Sequence, residues 1–138
     1  MSNLLKKIGR TSIDHSAFMI QSGQMENVLA IFKELGWTED SPLSGDTFDV
    51  RFVRPEGSTT RVQLTEHFGE TFKEPLRGSH FGLIVKDPMG AAEALVEFAK
   101  ERGWNDAKME PANIKQTKWW VTIASIMAFK IELVPERS

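Results

Sequence analysis

The chain has 138 residues, of which 41% are hydrophobic and 26% charged, a balance expected of a single globular domain over 1–138. Its formal net charge of -2 is spread along the chain, which leaves no basic stripe for nucleic acid. It has no Cys and no Tyr, so disulfides, thiolate catalysis, thiolate zinc sites and phenol chemistry are all excluded, and imidazole chemistry is confined to His15, His67 and His80.

Read in chain order, the opening "MSNLLKKIGR" has no long apolar run after its charges, and no later segment approaches a membrane span. The expectation is a cytoplasmic protein with no membrane partner. "SIDHSAFMI" reads as a strand. "SGQMENVLAIFKELGW" has Met25, Val28, Leu29, Phe32 and Leu35 at helical spacing, with Ser22 as N-cap and Gly36 at the left-handed C-terminal position. A weak strand near "DSPLSG" follows. "TFDVRFVRP" and "TTRVQLTEHF" then alternate as two strands joined by the turn "PEGS". The polar "FGETFKEPLR", residues 68–77, reads as a linker.

The same plan then returns. "GSHFGLIV" is a strand with an early His. "DPMGAAEALVEFAKERGW" is a helix with Asp87 as N-cap, Pro88 at its first position and the stripe Ala91, Ala94, Leu95, Phe98, ended by Gly103. A weak strand near "NDAKMEPAN" precedes the strands "KWWVTIA" and "AFKIELVP". Even the helix ends match, "KELGW" against "KERGW". The order βαβββ thus occurs twice, over 11–67 and 78–136, and predicts an α+β fold of two tandem modules. Two copies fit a pseudo-two-fold unit better than an array. One module alone would leave a sheet face and an edge open.

The repeat pairs four residues. Each half has a possible metal ligand on its first strand, His15 or His80, and another on its last, Gln63 or Glu132. Two imidazole nitrogens, an amide oxygen and a carboxylate oxygen suit one divalent ion such as Zn, Ni, Co, Mn or Fe. Taken singly, each has an ordinary structural alternative: a hydrogen-bonded or surface His, a solvent-facing Glu. The repeat raises all four together because it predicts their positions in pairs.

The phrases "IDHSAFMI", "RVQLTEH", "GSHFGLIVKD" and "FKIELVPE" resemble the vicinal oxygen chelate superfamily, over nearly the whole chain. The superfamily includes glyoxalase I, methylmalonyl-CoA epimerase, extradiol dioxygenases, and fosfomycin- and bleomycin-resistance proteins. The resemblance implies paired βαβββ modules whose mixed sheets curl into a cup around a divalent metal, with ligand slots at His15, Gln63, His80 and Glu132. That set is most like those of methylmalonyl-CoA epimerase and glyoxalase I. It implies a metal-dependent lyase or isomerase, glyoxalase-like or epimerase-like, that transfers a proton next to a carbonyl through a metal-stabilised enolate. The substrate would be a small carbonyl or thioester compound. The alternative is a metal-free protein of the same fold that binds or sequesters a small molecule. The resemblance also implies a homodimer, with the cup closed either by the chain's own second module or by a partner's.

Candidate roles follow for other residues. The proton-shuttling carboxylate is Glu132 or Asp49, and Asp49 reads equally as a solvated strand residue. Arg51 and Arg61 could hold an anionic group, or sit as exposed charge on a sheet rim. Trp119 and Trp120 are consecutive on one strand and face opposite sides, so one faces into the cup and one away; stacking on substrate and core packing are both open. Glyoxalase I has an Arg four residues after its first ligand and an Asn four after its second. Here those positions are Met19 and His67, which leaves His67 as a candidate substrate contact. Dioxygenase chemistry is disfavoured by the missing Tyr. The apolar turn "ASIMA" replaces the family's polar one, and is expected to pack on a partner or narrow the pocket.

Overall fold

The computed structural model describes residues 3–136. A six-residue helix, α1 (Asn3–Ile8), precedes the first module and was not anticipated from the sequence. Its Leu4 and Ile8 are exposed, so no buried stripe marked it as part of the fold. The first module runs β1 (His15–Met19), α2 (Met25–Glu34), β2 (Thr38–Glu39), β3 (Leu43–Ser44), β4 (Phe48–Arg54) and β5 (Arg61–His67). The second runs β6 (His80–Val85), α3 (Pro88–Glu101), β7 (Lys108–Pro111), β8 (Trp119–Thr122) and β9 (Lys130–Pro135). The weak strand of the first half is split into β2 and β3, both paired with β4. Pro42 lies in the gap, where a residue without an N–H interrupts the ladder at little cost.

The two sheets repeat one topology. The first has the order β1-β5-β4-β2 and the second β6-β9-β8-β7, and each begins with a parallel pair, β1 with β5 and β6 with β9. The duplicated helix ends are the same motif in both halves. Gly36 and Gly103 take φ of 80° and 85°. Trp37 donates its backbone N–H to the carbonyl of Phe32 at 3.0 Å, and Trp104 to that of Ala99 at 2.9 Å. These six-to-one bonds close the last turn and need a left-handed residue, which glycine supplies without a Cβ penalty. Each Trp then folds back on its own helix, Trp37 against Phe32 and Trp104 against Phe98. At the N-termini the expectation held for Asp87, whose carboxylate accepts from the Gly90 N–H, but not for Ser22. Helix α2 starts after Gln24, and the Ser22 hydroxyl accepts from the Gly69 N–H instead, tying the end of β1 to the segment after β5.

One face of each sheet is buried, and the other is open around His15 and His80 but closed towards Val50, Thr65 and Thr122. In the first, Phe18, Val53, Val62 and Leu64 join the buried side of α2 in one cluster; in the second, Phe81, Leu83, Trp119, Val121, Ile131 and Leu133 lie on the side covered by α3. These faces share one core, joined where Phe18 meets Phe81 at 5.2 Å and Phe129 at 5.3 Å between ring centroids. The apolar turn Ala124–Ala128 packs largely against the chain itself, with Ala124 and Ser125 at the edge of a shallow surface cavity. Ile126, Met127 and Ala128 are buried in the chain's own core, and Met127 bridges to Ile20 beside β1. Its apolar character is explained by this position in the seam.

Gln21 fastens the same seam. It is buried, its amide nitrogen donates to the carbonyls of Phe72 (2.6 Å) and Ala124 (2.9 Å), and its amide oxygen accepts from the Phe72 N–H (2.7 Å). One side chain therefore satisfies polar groups from both segments packed against β1. No described helix is long and apolar enough to cross a membrane. We expect Gln21→Leu to lower stability by about 2 kcal/mol, because it leaves the part-buried Phe72 N–H and the Phe72 and Ala124 carbonyls without their side-chain partner. Urea denaturation followed by tryptophan fluorescence measures this.

Candidate functional site

In the first sheet, strand pairing puts His15 opposite Arg61, Ala17 opposite Gln63, and Phe52 opposite Gln63 on the other side. Because side chains alternate along a strand, His15, Ala17, Arg61, Gln63 and Phe52 all occupy the open face. In the second sheet, His80 lies opposite Lys130, Gly82 opposite Glu132, and Trp120 opposite Glu132. The two halves therefore build the same pattern. The His faces a cation across the parallel pair. The second ligand candidate sits beside a small residue two places on, and an aromatic flanks it on the third strand.

The contacts match as well. His15 meets the Phe52 ring edge-on at 5.5 Å, and His80 meets Trp120 edge-on at 4.8 Å. The Arg61 guanidinium lies 4.1 Å from the centroid of Phe52, and the Lys130 ammonium 5.6 Å from that of Trp120. Such cation–aromatic contacts favour a fixed placement of the charge over the ring. Ala17 and Gly82 leave space under the second ligand of each pair. A Cβ on Gly82 would stand 3.8 Å from a Glu132 carboxylate oxygen, so that carboxylate reaches over the glycine. Gln63 donates its amide nitrogen to the Thr65 hydroxyl at 3.1 Å, which directs its oxygen elsewhere. His15 Nδ1 lies 2.7 Å from the Asp14 carboxylate, which as an ionised group accepts from it, leaving Nε2 as the ring's other nitrogen.

The donor chemistry of these four residues fits a divalent ion: two imidazole nitrogens, one amide oxygen and one carboxylate oxygen. Each sheet contributes two donors on its open face. Among the described residues, however, no three His, Asp or Glu side chains of one chain come together in a way that could hold a metal ion. His15, His80 and Glu132 are therefore not gathered within one chain. The physical reason is that the sheets share a core through their helix-covered faces, so their open faces do not enclose a common space.

The other candidates divide by strand parity. Arg61, Trp120 and His67 lie on open faces, with His67 exposed at the far end of β5. Trp119 lies on the core side and donates its indole N–H to the carbonyl of Gln116. Asp49 and Arg51 pair with Glu66 and Leu64, which puts them on the helix-covered face, opposite to His15 and Gln63. Their side chains form an ion pair at 2.8 Å that extends to Glu39 and Glu26. Burial alone would raise the Asp49 pKa, but hydrogen bonds from Arg51 and Ser44 outweigh it and lower it below 3.8. A carboxylate so held is a weak base. Phe52, Lys130 and Asp14 were missed. The signal for Phe52 and Lys130 was present in their alignment with Trp120 and Arg61 across the repeat. Asp14 stood next to His15 with no repeat counterpart, since Ser79 precedes His80.

No family model matches the sequence, and no curated protein does. Solved structures do match. The trypanothione-dependent glyoxalase I of Leishmania major superposes with a TM-score of 0.63 at 21% identity, over 92% of this chain and 88% of that one. The fosfomycin resistance protein FosX of Listeria monocytogenes gives 0.61 at 13% identity, over 93% of each chain. TnmS3, an antibiotic binding protein from Streptomyces sp. CB03234, gives 0.56 at 16% identity, over 94% of this chain and 99% of that one. The fold is that of the vicinal oxygen chelate proteins. The tandem modules expected from the repeat are the modules of this fold.

The parity of β4 makes a simple prediction. Asp49→Asn is expected to lower stability by about 1–2 kcal/mol at pH 7 without changing metal content, since it weakens the Arg51 pair. A depressed carboxylate pKa stabilises the fold above the unfolded value, and that contribution is lost as pH falls through the folded value. The difference between variant and wild type should therefore shrink below about pH 4, as seen by thermal unfolding across pH.

Proposed function

We propose that this protein is a metal-dependent lyase or isomerase that moves a proton next to the carbonyl of a small carbonyl or thioester substrate, and that it works as a homodimer. The observation that carries this reading is the matched register of the two half-sites, His15 with Gln63 and His80 with Glu132, each displayed on an open sheet face. A two-fold partner would set the first sheet of one chain against the second sheet of the other, twice, completing two equivalent sites. His15 and Gln63 of one chain and His80 and Glu132 of the other would hold one divalent ion per site. When bound, the ion would supply Lewis-acid polarisation of a substrate carbonyl, an effect worth several kcal/mol. A FosX variant of the same fold has been solved with Mn(II), which supports a divalent ion in such a cup.

The chain's own residues would do the rest. Glu132 is the better proton shuttle, because it lies on the open face above Gly82 with room to shift, while Asp49 is turned to the other side and bound by Arg51. Phe52 and Trp120 would give the substrate flat apolar walls. Arg61 and Lys130, each beside its ring, would put positive charge at the rim. A second reading has support from the same aromatic walls and from the fold of TnmS3: a metal-free protein that binds an apolar small molecule.

Metal analysis of untagged protein is expected to give one divalent ion per chain and a dimer by light scattering. His15→Ala and Glu132→Ala should each lose most of the metal. Mixing and refolding the two variants should restore about half of the sites present in the wild-type dimer among the mixed dimers, since one of their two sites keeps all four donors. Sites lying within single chains would show no recovery.

For the chemistry, the metal-loaded protein should exchange the α-proton of 2-oxo aldehyde–thiol adducts or branched acyl thioesters for deuterium. Exchange should fall by at least about 100-fold in Glu132→Gln protein that still holds metal. Equal tight binding of aromatic ligands by metal-loaded and metal-stripped protein, with no exchange by either, would favour the binding protein.

A further inference from the structure

The two half-sites match in register, ring contact and cation, but differ in one respect. His15 has a carboxylate on its ring nitrogen, with Nδ1 2.7 Å from Asp14 Oδ2. Among the described residues His80 has the edge contact with Trp120 and no hydrogen bond to a carboxylate. Asp14 is itself fixed. Its Oδ2 accepts from Arg61 Nη2 at 2.9 Å, and its backbone carbonyl accepts from the Arg61 N–H at 2.9 Å. Arg61 is held in turn by Asp40 at 3.6 Å and over the Phe52 ring, and Asp40 by Arg54 at 3.1 Å. A row of alternating charges, Arg54, Asp40, Arg61 and Asp14, therefore ends on one nitrogen of His15.

We propose that Asp14 is a positioning residue that holds His15 as the Nδ1–H tautomer, with Nε2 presented to the site, while His80 has no such orienter. The reading of His15 as a ligand comes from the proposed function, and the tautomer claim stands on geometry alone. A neutral imidazole has one N–H and one lone pair, and an ionised carboxylate can only accept, so a carboxylate at Nδ1 places the proton there. Nε2 then carries the lone pair that a metal ion requires. Phe52, edge-on to the imidazole at 5.5 Å, limits the tilt of the ring. Stability gives little reason for the pair. Asp14 has 67% of its side chain exposed, and pairs so solvated contribute little to folding. The consequence should appear in how the ring is presented.

The test uses the full chain with Asp14→Ala and Asp14→Asn, and two readouts. Long-range proton–nitrogen NMR of the metal-free protein above the imidazole titration should show His15 of the wild type as the Nδ1–H tautomer and His80 as the Nε2–H form common in free imidazole. Asp14→Ala should shift His15 to mainly Nε2–H. Asp14→Asn, which keeps an acceptor oxygen, should retain Nδ1–H. Calorimetric titration with Zn(II), Ni(II) and Mn(II) should show affinity about 10- to 100-fold weaker in Asp14→Ala and a smaller loss in Asp14→Asn. An unchanged His15 tautomer in Asp14→Ala overturns the assignment, and so does a switched tautomer with affinity altered less than about threefold. Wild-type protein that binds none of the three ions would overturn the ligand reading instead, and the tautomer result would then decide the role of Asp14 by itself.

Discussion

Phe18, Phe81 and Phe129 meet at the seam between the sheets, and their burial fixes the parity of every strand that carries chemistry. Phe18 lies on β1, Phe81 on β6, and Phe129 just ahead of β9. Side chains alternate along a strand, so once these positions face the core, His15, His80 and Glu132 must face away. Reversed parity in the first parallel pair would bury His15 and expose Leu64, and in the second it would bury His80 and Glu132 and expose Ile131 and Leu133. Burial of unpaired charge is costly enough to exclude that arrangement. The same hydrophobic alternation that builds the core thus aims the candidate ligands outward.

The second sheet depends on the first through a small number of contacts that are specific in kind. Gln21, the turn Ala124–Ala128 and the linker after β5 meet at one place, where an amide side chain satisfies three backbone groups. Apolar burial by Ile126 and Met127 fills the rest of that seam. The result is one core shared by the two modules through their helix-covered sides. The four candidate donors lie on the faces turned away from that shared core.

Within each half-site the physical devices are few. A small residue, Ala17 or Gly82, leaves room for the longer donor beside it. An aromatic ring, Phe52 or Trp120, supports the imidazole edge and takes a cation on its face. The halves are not interchangeable, since Gln63 offers a neutral oxygen where Glu132 offers a charged and basic one. The Asp14–His15 contact lies on the Gln63 side, away from the carboxylate that would move.

The tandem βαβββ order, both main helices with their glycine ends, and the pairing of the four ligand candidates were legible in the amino-acid order, because each depends on local periodicity or on a repeat that one-dimensional spacing preserves. Alternation likewise separated Trp119 from Trp120. It left α1 unseen, since an exposed single turn and a half has no buried stripe. It offered Asp49 and Arg51 beside Arg61 as site residues, because parity relative to another strand is a matter of register, and register is set by pairing between segments distant in sequence. Only the tertiary structure decided that β4 turns Asp49 and Arg51 to the helix side, that the apolar turn at 124–128 seals the chain's own core, and that Asp14 and Phe52 stand on His15. Those outcomes rest on which faces pack together, and packing is a property of the assembled core that no single segment carries.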